Sequence, residues 1–201
     1  MTLRAVRSTA LAALLVTAAG LCAPGAQALV RKPKPVCNLL VDPQDVSGSP
    51  ALDILSADVA TSKLTLEWVV RVKSLAPATD PNTLTGRTWT FAFKDGDKQV
   101  TTSVLDGPLG TRDGSGNGAT VTLDATKNEI RYVVPLTKIS SAYGLTITPG
   151  QYLTEFAATA APGIELPEQA AFFYTLPGGD TTDVAKTRYK AGAPSCVVVT
   201  P

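Results

Sequence analysis

The sequence predicts an all-β protein built as a single antiparallel sandwich, and three observations carry that reading. Apolar and polar residues alternate with period two over several separate segments. The segments are short and are separated by turn-forming residues, in a chain with 16 Gly and 15 Pro. No stretch sustains the 3.6-residue period of an amphipathic helix, which disfavours a parallel α/β sheet.

Taken in order, Leu52, Ile54 and Val59 mark a first strand. Leu64, Leu66, Trp68, Val70 and Val72 then alternate with Thr65, Glu67, Val69, Arg71 and Lys73, the clearest half-buried strand in the chain. Residues 87–94 alternate likewise, with Trp89, Phe91 and Phe93 on one face. Asp95-Gly96-Asp97 turns the chain and residues 98–105 return, forming a hairpin. Residues 106–118 read as a glycine-rich loop, and 119–123 with 129–135 as a second hairpin ended by Pro135. A short helical turn is expected over 136–143, further strands over 152–160 and 171–176, and a last one over 197–200. Some eight to ten short strands fit a jelly-roll or immunoglobulin-like sandwich.

Residues 1–28 read as an export signal. Arg4 and Arg7 form the charged front, residues 9–21 an apolar stretch too short to span a bilayer, and Ala26-Gln27-Ala28 a small-residue cleavage site. Leu21 precedes Cys22 where lipidation requires a small residue. Cleavage leaves 173 of the 201 residues, enough for one domain: a basic, proline-interrupted arm over 29–36 and a sandwich over 37–201. Without Arg4 and Arg7, 16 basic residues face 17 acidic ones, so nothing points to nucleic acid. No second apolar stretch is long enough to cross a membrane. The remaining cysteines, Cys37 and Cys196, stand near the two ends of the mature chain, and in an oxidising compartment they are expected to pair. The bridge brings the termini together.

The sequence contains no histidine, which removes Ser-His-Asp and Cys-His catalysis and histidine-ligated zinc, copper or haem iron. Glu67, Glu129, Glu155, Glu165 and Glu168 show no spacing that pairs them as glycosidase carboxylates, and solvated strand or loop positions account for them. The expected protein is not an enzyme. Trp68 and Trp89 fit core packing better than a sugar-stacking platform; Tyr143, Tyr152 and Tyr189 lie nearer loops. Asp113, Ser115, Asn117, Gly118 and Asp124 imitate the spacing of an EF-hand loop, against a plain hairpin loop. Asp42, Asp45, Asp53 and Asp58 cluster before and within the first strand. Such carboxylates either gather oxygens around Ca²⁺ or, for Asp42 and Asp45, cap their own turn, with Asp53 facing solvent.

Residues 42–59 (DPQDVSGSPALDILSADV) resemble the opening of secreted carbohydrate-binding-module-like and DOMON-like β-sandwich domains, with an Asp-Pro turn, a spacer and an Asp-Ile strand. Here the turn is Asp-Pro-Gln-Asp, one residue shorter than in those domains and without their glycine. EIRYVVPL over 129–136, GQYLTEFAAT over 150–159 and the Tyr189…Gly192…Pro194-Ser195-Cys196 tail resemble later segments. The resemblance implies a jelly-roll-like sandwich with Asp42, Asp45 and Asp53 as metal positions, and structural calcium as cofactor. The expected function is a secreted binding or interaction domain for a glycan or cell-envelope surface. A structural or accessory subunit of a secreted protein complex is the alternative, and a carboxylate-based hydrolase the third.

Overall fold

The computed structural model describes residues 34–42, 49–75, 85–166, 172–175 and 179–197. The expected export signal, most of the expected basic arm, Asp45, Glu168 and the last expected strand beyond Val197 lie outside the described residues. The architecture is all-β and sandwich-like: two antiparallel sheets and one short helix.

The first sheet has the order β1 (Leu40–Val41), β2 (Ile54–Thr61), β3 (Thr65–Val72), β8 (Glu129–Pro135) and β7 (Thr120–Asp124). The second has β10 (Phe172–Thr175), β9 (Tyr152–Leu166), β4 (Thr85–Asp95), β5 (Lys98–Gly107) and β6 (Gly110–Asp113). Two short strands, β11 (Asp180–Thr181) and β12 (Tyr189–Lys190), also pair with β9. The helix α1 (Leu136–Tyr143) starts where Pro135 ends the β8 ladder and stops at Gly144, whose left-handed φ of 61° closes the last turn. The expected loop over 106–118 is corrected in part. Its first half folds back as β6, because Pro108-Leu109 makes a tight turn between paired Gly107 and Gly110, and Thr111 Oγ1 donates to Asp106 Oδ1 at 2.7 Å.

The inward faces meet around Trp68. Its ring stacks on Phe91 at 5.4 Å between centroids and meets Phe156 edge-on, also at 5.4 Å; Phe93 stacks on Phe156 in turn. Offset and edge contacts of this kind add about 0.5–1.5 kcal/mol per pair beyond area burial. Keeping both Phe93 and Phe156 in this cluster requires a bulge. Strand β9 buries Leu153 and then switches parity at Glu155 (φ 51°), so that Phe156 and Ala158 also turn inward. A second register shift between Ile54 and Ser56 lets Ile54, Ala57 and Val59 all face the core.

The segment 179–197 straps the two sheets together. While β11 and β12 pair with β9, Asp180 Oδ2 accepts the Ile54 N–H at 2.7 Å and the Tyr189 hydroxyl accepts the Thr61 N–H at 3.1 Å. Val36 N–H donates to the Pro194 carbonyl at 2.9 Å, and Cys196 lies at disulfide distance from Cys37, with Cα atoms 5.1 Å apart. These side chains occupy backbone donors along the edge of β2 that two-residue β1 leaves open, which blunts that edge against further pairing.

Candidate functional site

Alternation along β3 correctly places Trp68 inward, but the opposite face is not solvated as expected. Glu67 is fully buried (0 % exposed) and Asp58 nearly so. Arg131 donates to Glu67 at 2.8 Å, while Arg71 bridges Asp58 at 2.7 Å and Glu129 at 2.9 Å. Burial alone lowers the Arg71 pKa, but the two carboxylates outweigh it and hold the guanidinium above its ordinary value. Val197 packs with Ala60 and Val69 on this same face. Glu155 pairs with Lys94 at 2.6 Å, and nothing is described of the side chains of Glu165 and Glu168. The described glutamates thus act as cross-strand ion-pair partners.

Of the acidic opening, Asp42, Asp53 and Asp58 are described and Asp45 is not. Asp42 N–H donates to the Leu55 carbonyl, ending the β1–β2 ladder. Asp53 is buried (5 % exposed) rather than solvent-facing, because its backbone carbonyl accepts the Lys73 N–H and draws the residue under β3. Its Oδ2 lies 3.7 Å from Lys73 Nζ and its Oδ1 has no hydrogen-bond partner. Calcium asks for about six to eight hard oxygens. Among the described residues no three acidic side chains gather to hold a metal.

The glycine-rich loop uses its oxygens internally. Asp113 accepts the Ser115 and Ala119 N–H groups and the Tyr132 hydroxyl at 2.9, 3.2 and 3.1 Å. Asp124 caps its own turn by accepting from Thr126 and Lys127, and Lys127 holds its carboxyl below the usual value. Tyr132 is pushed above its ordinary pKa, first by burial and then by the neighbouring Asp113 charge. This is hairpin-loop chemistry.

Both tryptophans are fully buried, as expected for core residues, and Trp89 Nε1 donates to the Ala51 carbonyl. Tyr189 is buried in the strap and Tyr143 donates to the Thr101 carbonyl. Tyr152 is the exposed aromatic of the three, with the Arg188 guanidinium 4.2 Å from its ring centroid and Lys190 Nζ 6.0 Å away.

Beside this aromatic lies a cleft of about 260 Å³ that periodicity could not reveal, because distant segments form it. Leu136, Ile147, Pro149 and Ala191 supply its apolar lining; Thr61, Ser62, Lys63, Thr148 and Gly192 complete it. The elements fix it closely: Gly192 N–H donates to Thr61 Oγ1 at 2.6 Å, Leu136 N–H to the Leu64 carbonyl at 2.8 Å, and Gly150 N–H to the Ala191 carbonyl at 2.8 Å. Tyr152 and Lys190 face each other across the β9–β12 ladder, and a side chain at Gly150 would meet Lys190 Cε. Gly150 and Lys190 thus place the aromatic–cation group next in the chain to Pro149 and Ala191 of the cleft lining. Lys63, Arg188 and Lys190 form no ion pair with the described residues, in contrast to Arg71, Arg87 and Arg131 on the strands.

No protein-family model matches the chain, and no curated protein matches it. What the structure defines is a class: an all-β, two-sheet protein with Cys37 and Cys196 at disulfide distance. Among the described residues no helix is long and apolar enough to cross a membrane.

Proposed function

We propose that this is an exported, non-catalytic binding module whose contact surface is the end formed by the cleft, Tyr152, Arg188 and Lys190. One observation carries the reading: Arg71, Arg87, Lys94 and Arg131 on β3, β4 and β8 are spent on cross-strand ion pairs, whereas Lys63, Arg188 and Lys190 pair with no carboxylate among the described residues. Cations held apart from any internal carboxylate remain available to a partner. Export is supported by the signal-like residues 1–28 and the Cys37–Cys196 pair. The module acts on a cell-envelope or secreted macromolecule.

The glycan form of this reading leans on Tyr152, the exposed ring, since Trp68 and Trp89 are committed to the core. This reading does not require calcium: the Lys73 ammonium lies 3.7 Å from Asp53 Oδ2, and Asp113 accepts from its own loop.

Retention of the mature chain on a panel of polysaccharides, cell-envelope fractions and co-secreted proteins tests the proposal. We expect retention on at least one, weakened by Lys63→Glu combined with Lys190→Glu. Retention unchanged by that double variant, or none at all, removes this end as the contact surface.

A further inference from the structure

We infer that the cleft docks an extended acidic segment of a partner protein, with one aliphatic side chain seated between Leu136 and Ala191 and carboxylates set against Lys63 and Lys190. This rests on the binding-module reading and names its ligand.

Size is the first argument. At about 260 Å³ the space lies below the roughly 300–1,000 Å³ that encloses a whole small ligand, so it takes one anchor group of something larger. Chemistry is the second. A sugar ring presents hydroxyls that need partners; Leu136, Ile147, Pro149 and Ala191 supply none, and the Thr61, Ser62 and Thr148 hydroxyls of the lining already bond within the protein, whereas an aliphatic side chain needs none. Leu64, 76 % exposed and adjacent to Lys63, extends the apolar surface beyond the cleft. Charge is the third. Lys63 lines the cleft itself, and Lys190 reaches Gly150, the residue after lining Pro149, so cations stand near the apolar anchor point. A buried anchor with charged neighbours is the usual energetic layout of a protein contact, the anchor holding the complex and the rim charges selecting it.

The probe is a pair of acetylated pentapeptides, Asp-Glu-Leu-Glu-Asp and its serine-centred counterpart, titrated into the ¹⁵N-labelled mature chain. The expected result is saturable shifts at the Lys63, Ala191 and Gly192 amides for the leucine peptide, with the serine peptide at least about tenfold weaker. Lys63→Glu should weaken the leucine peptide by about tenfold, and salt should weaken it progressively. Thr148→Trp, at an exposed lining position, should fill the cleft and abolish binding while the melting temperature stays close to that of the parent. Equal binding of the two peptides, or binding indifferent to Thr148→Trp, overturns the inference. If neither peptide binds while polygalacturonate is retained through Lys63 and Lys190, the partner is an acidic glycan; the binding module then stands and this inference falls. If the peptides fail and the panel of polysaccharides, cell-envelope fractions and co-secreted proteins retains nothing either, both readings fall.

Discussion

At one side of the sandwich, β2 and β9 are joined by residues far apart in the chain; at the other, β8 meets β5 and β6 through a loop of near neighbours. The first seam uses Asp180 on Ile54, Tyr189 on Thr61 and Cys196 against Cys37, with sequence separations of 126, 128 and 159. The second uses Tyr132 on Asp113, 19 residues apart, and Ser115 on Ser103, 12 apart. Loop-closure entropy grows by about 0.6 kcal/mol per doubling of length, so the distant seam costs about 2 kcal/mol more to close than the local one. The Cys37–Cys196 pair, at disulfide distance, stands where the entropy is worst. The local seam closes with hydrogen bonds alone.

The largest way to break this contrast is to open the covalent tie. Reduction, or Cys37→Ser with Cys196→Ser, is expected to cost about 5 kcal/mol, the chain-entropy value for a loop of this length. Denaturant melts of oxidised and reduced protein measure it. A loss under about 1 kcal/mol would mean that Tyr189 and Asp180 hold the distant seam unaided.

Next comes Tyr189→Phe against Tyr132→Phe. The Tyr189 hydroxyl accepts the buried Thr61 N–H and donates to the Ala193 carbonyl, so its removal orphans a backbone donor and is expected to cost about 1–3 kcal/mol. Asp113 keeps two N–H partners after Tyr132→Phe, so the local seam should lose only about 1 kcal/mol. Equal losses would erase the distinction between the seams.

Alkali should sharpen it. Tyr132 has its pKa raised in the folded state by burial and by Asp113, so the unfolded chain loses that proton first. Stability carried by this group is therefore complete below pH of about 10 and declines as pH rises beyond it. The difference in stability between the parent and Tyr132→Phe should shrink on that side. A difference that is flat from neutral to alkaline pH would show that neither burial nor the Asp113 charge raises the Tyr132 pKa.

Much of this was legible in the sequence, and what was not has a physical cause. Period two located β3, β4, β5, β7 and β8, and Pro135 located the start of α1. The two-residue strands β1, β11 and β12 carry no period to detect. Alternation showed which face Glu67 occupies but not that the face would be covered, because it describes a strand and not what lies over it. The cleft drew on residues near 62, 136, 148 and 191, and no local pattern connects those.

The smallest expected effect lies at Asp53, beside the distant seam. Its neighbour Ile54 is held by Asp180, yet Asp53 keeps Oδ1 unpartnered and meets Lys73 only at 3.7 Å. Asp180→Ala should therefore cost about 1–2 kcal/mol, and Asp53→Asn less than about 1 kcal/mol. The melting temperature should also be the same in EDTA and in millimolar calcium, since a lysine ammonium already stands where a cation would approach. A ligand confined to the folded state adds about 2.7 kcal/mol at 100 times its Kd, which a melt resolves easily. A rise in calcium that Asp53→Asn abolishes would put a metal ion, and with it Asp42 and Asp45, into the long-range seam. The comparison would then set a metal-tied edge against a hydrogen-bonded one.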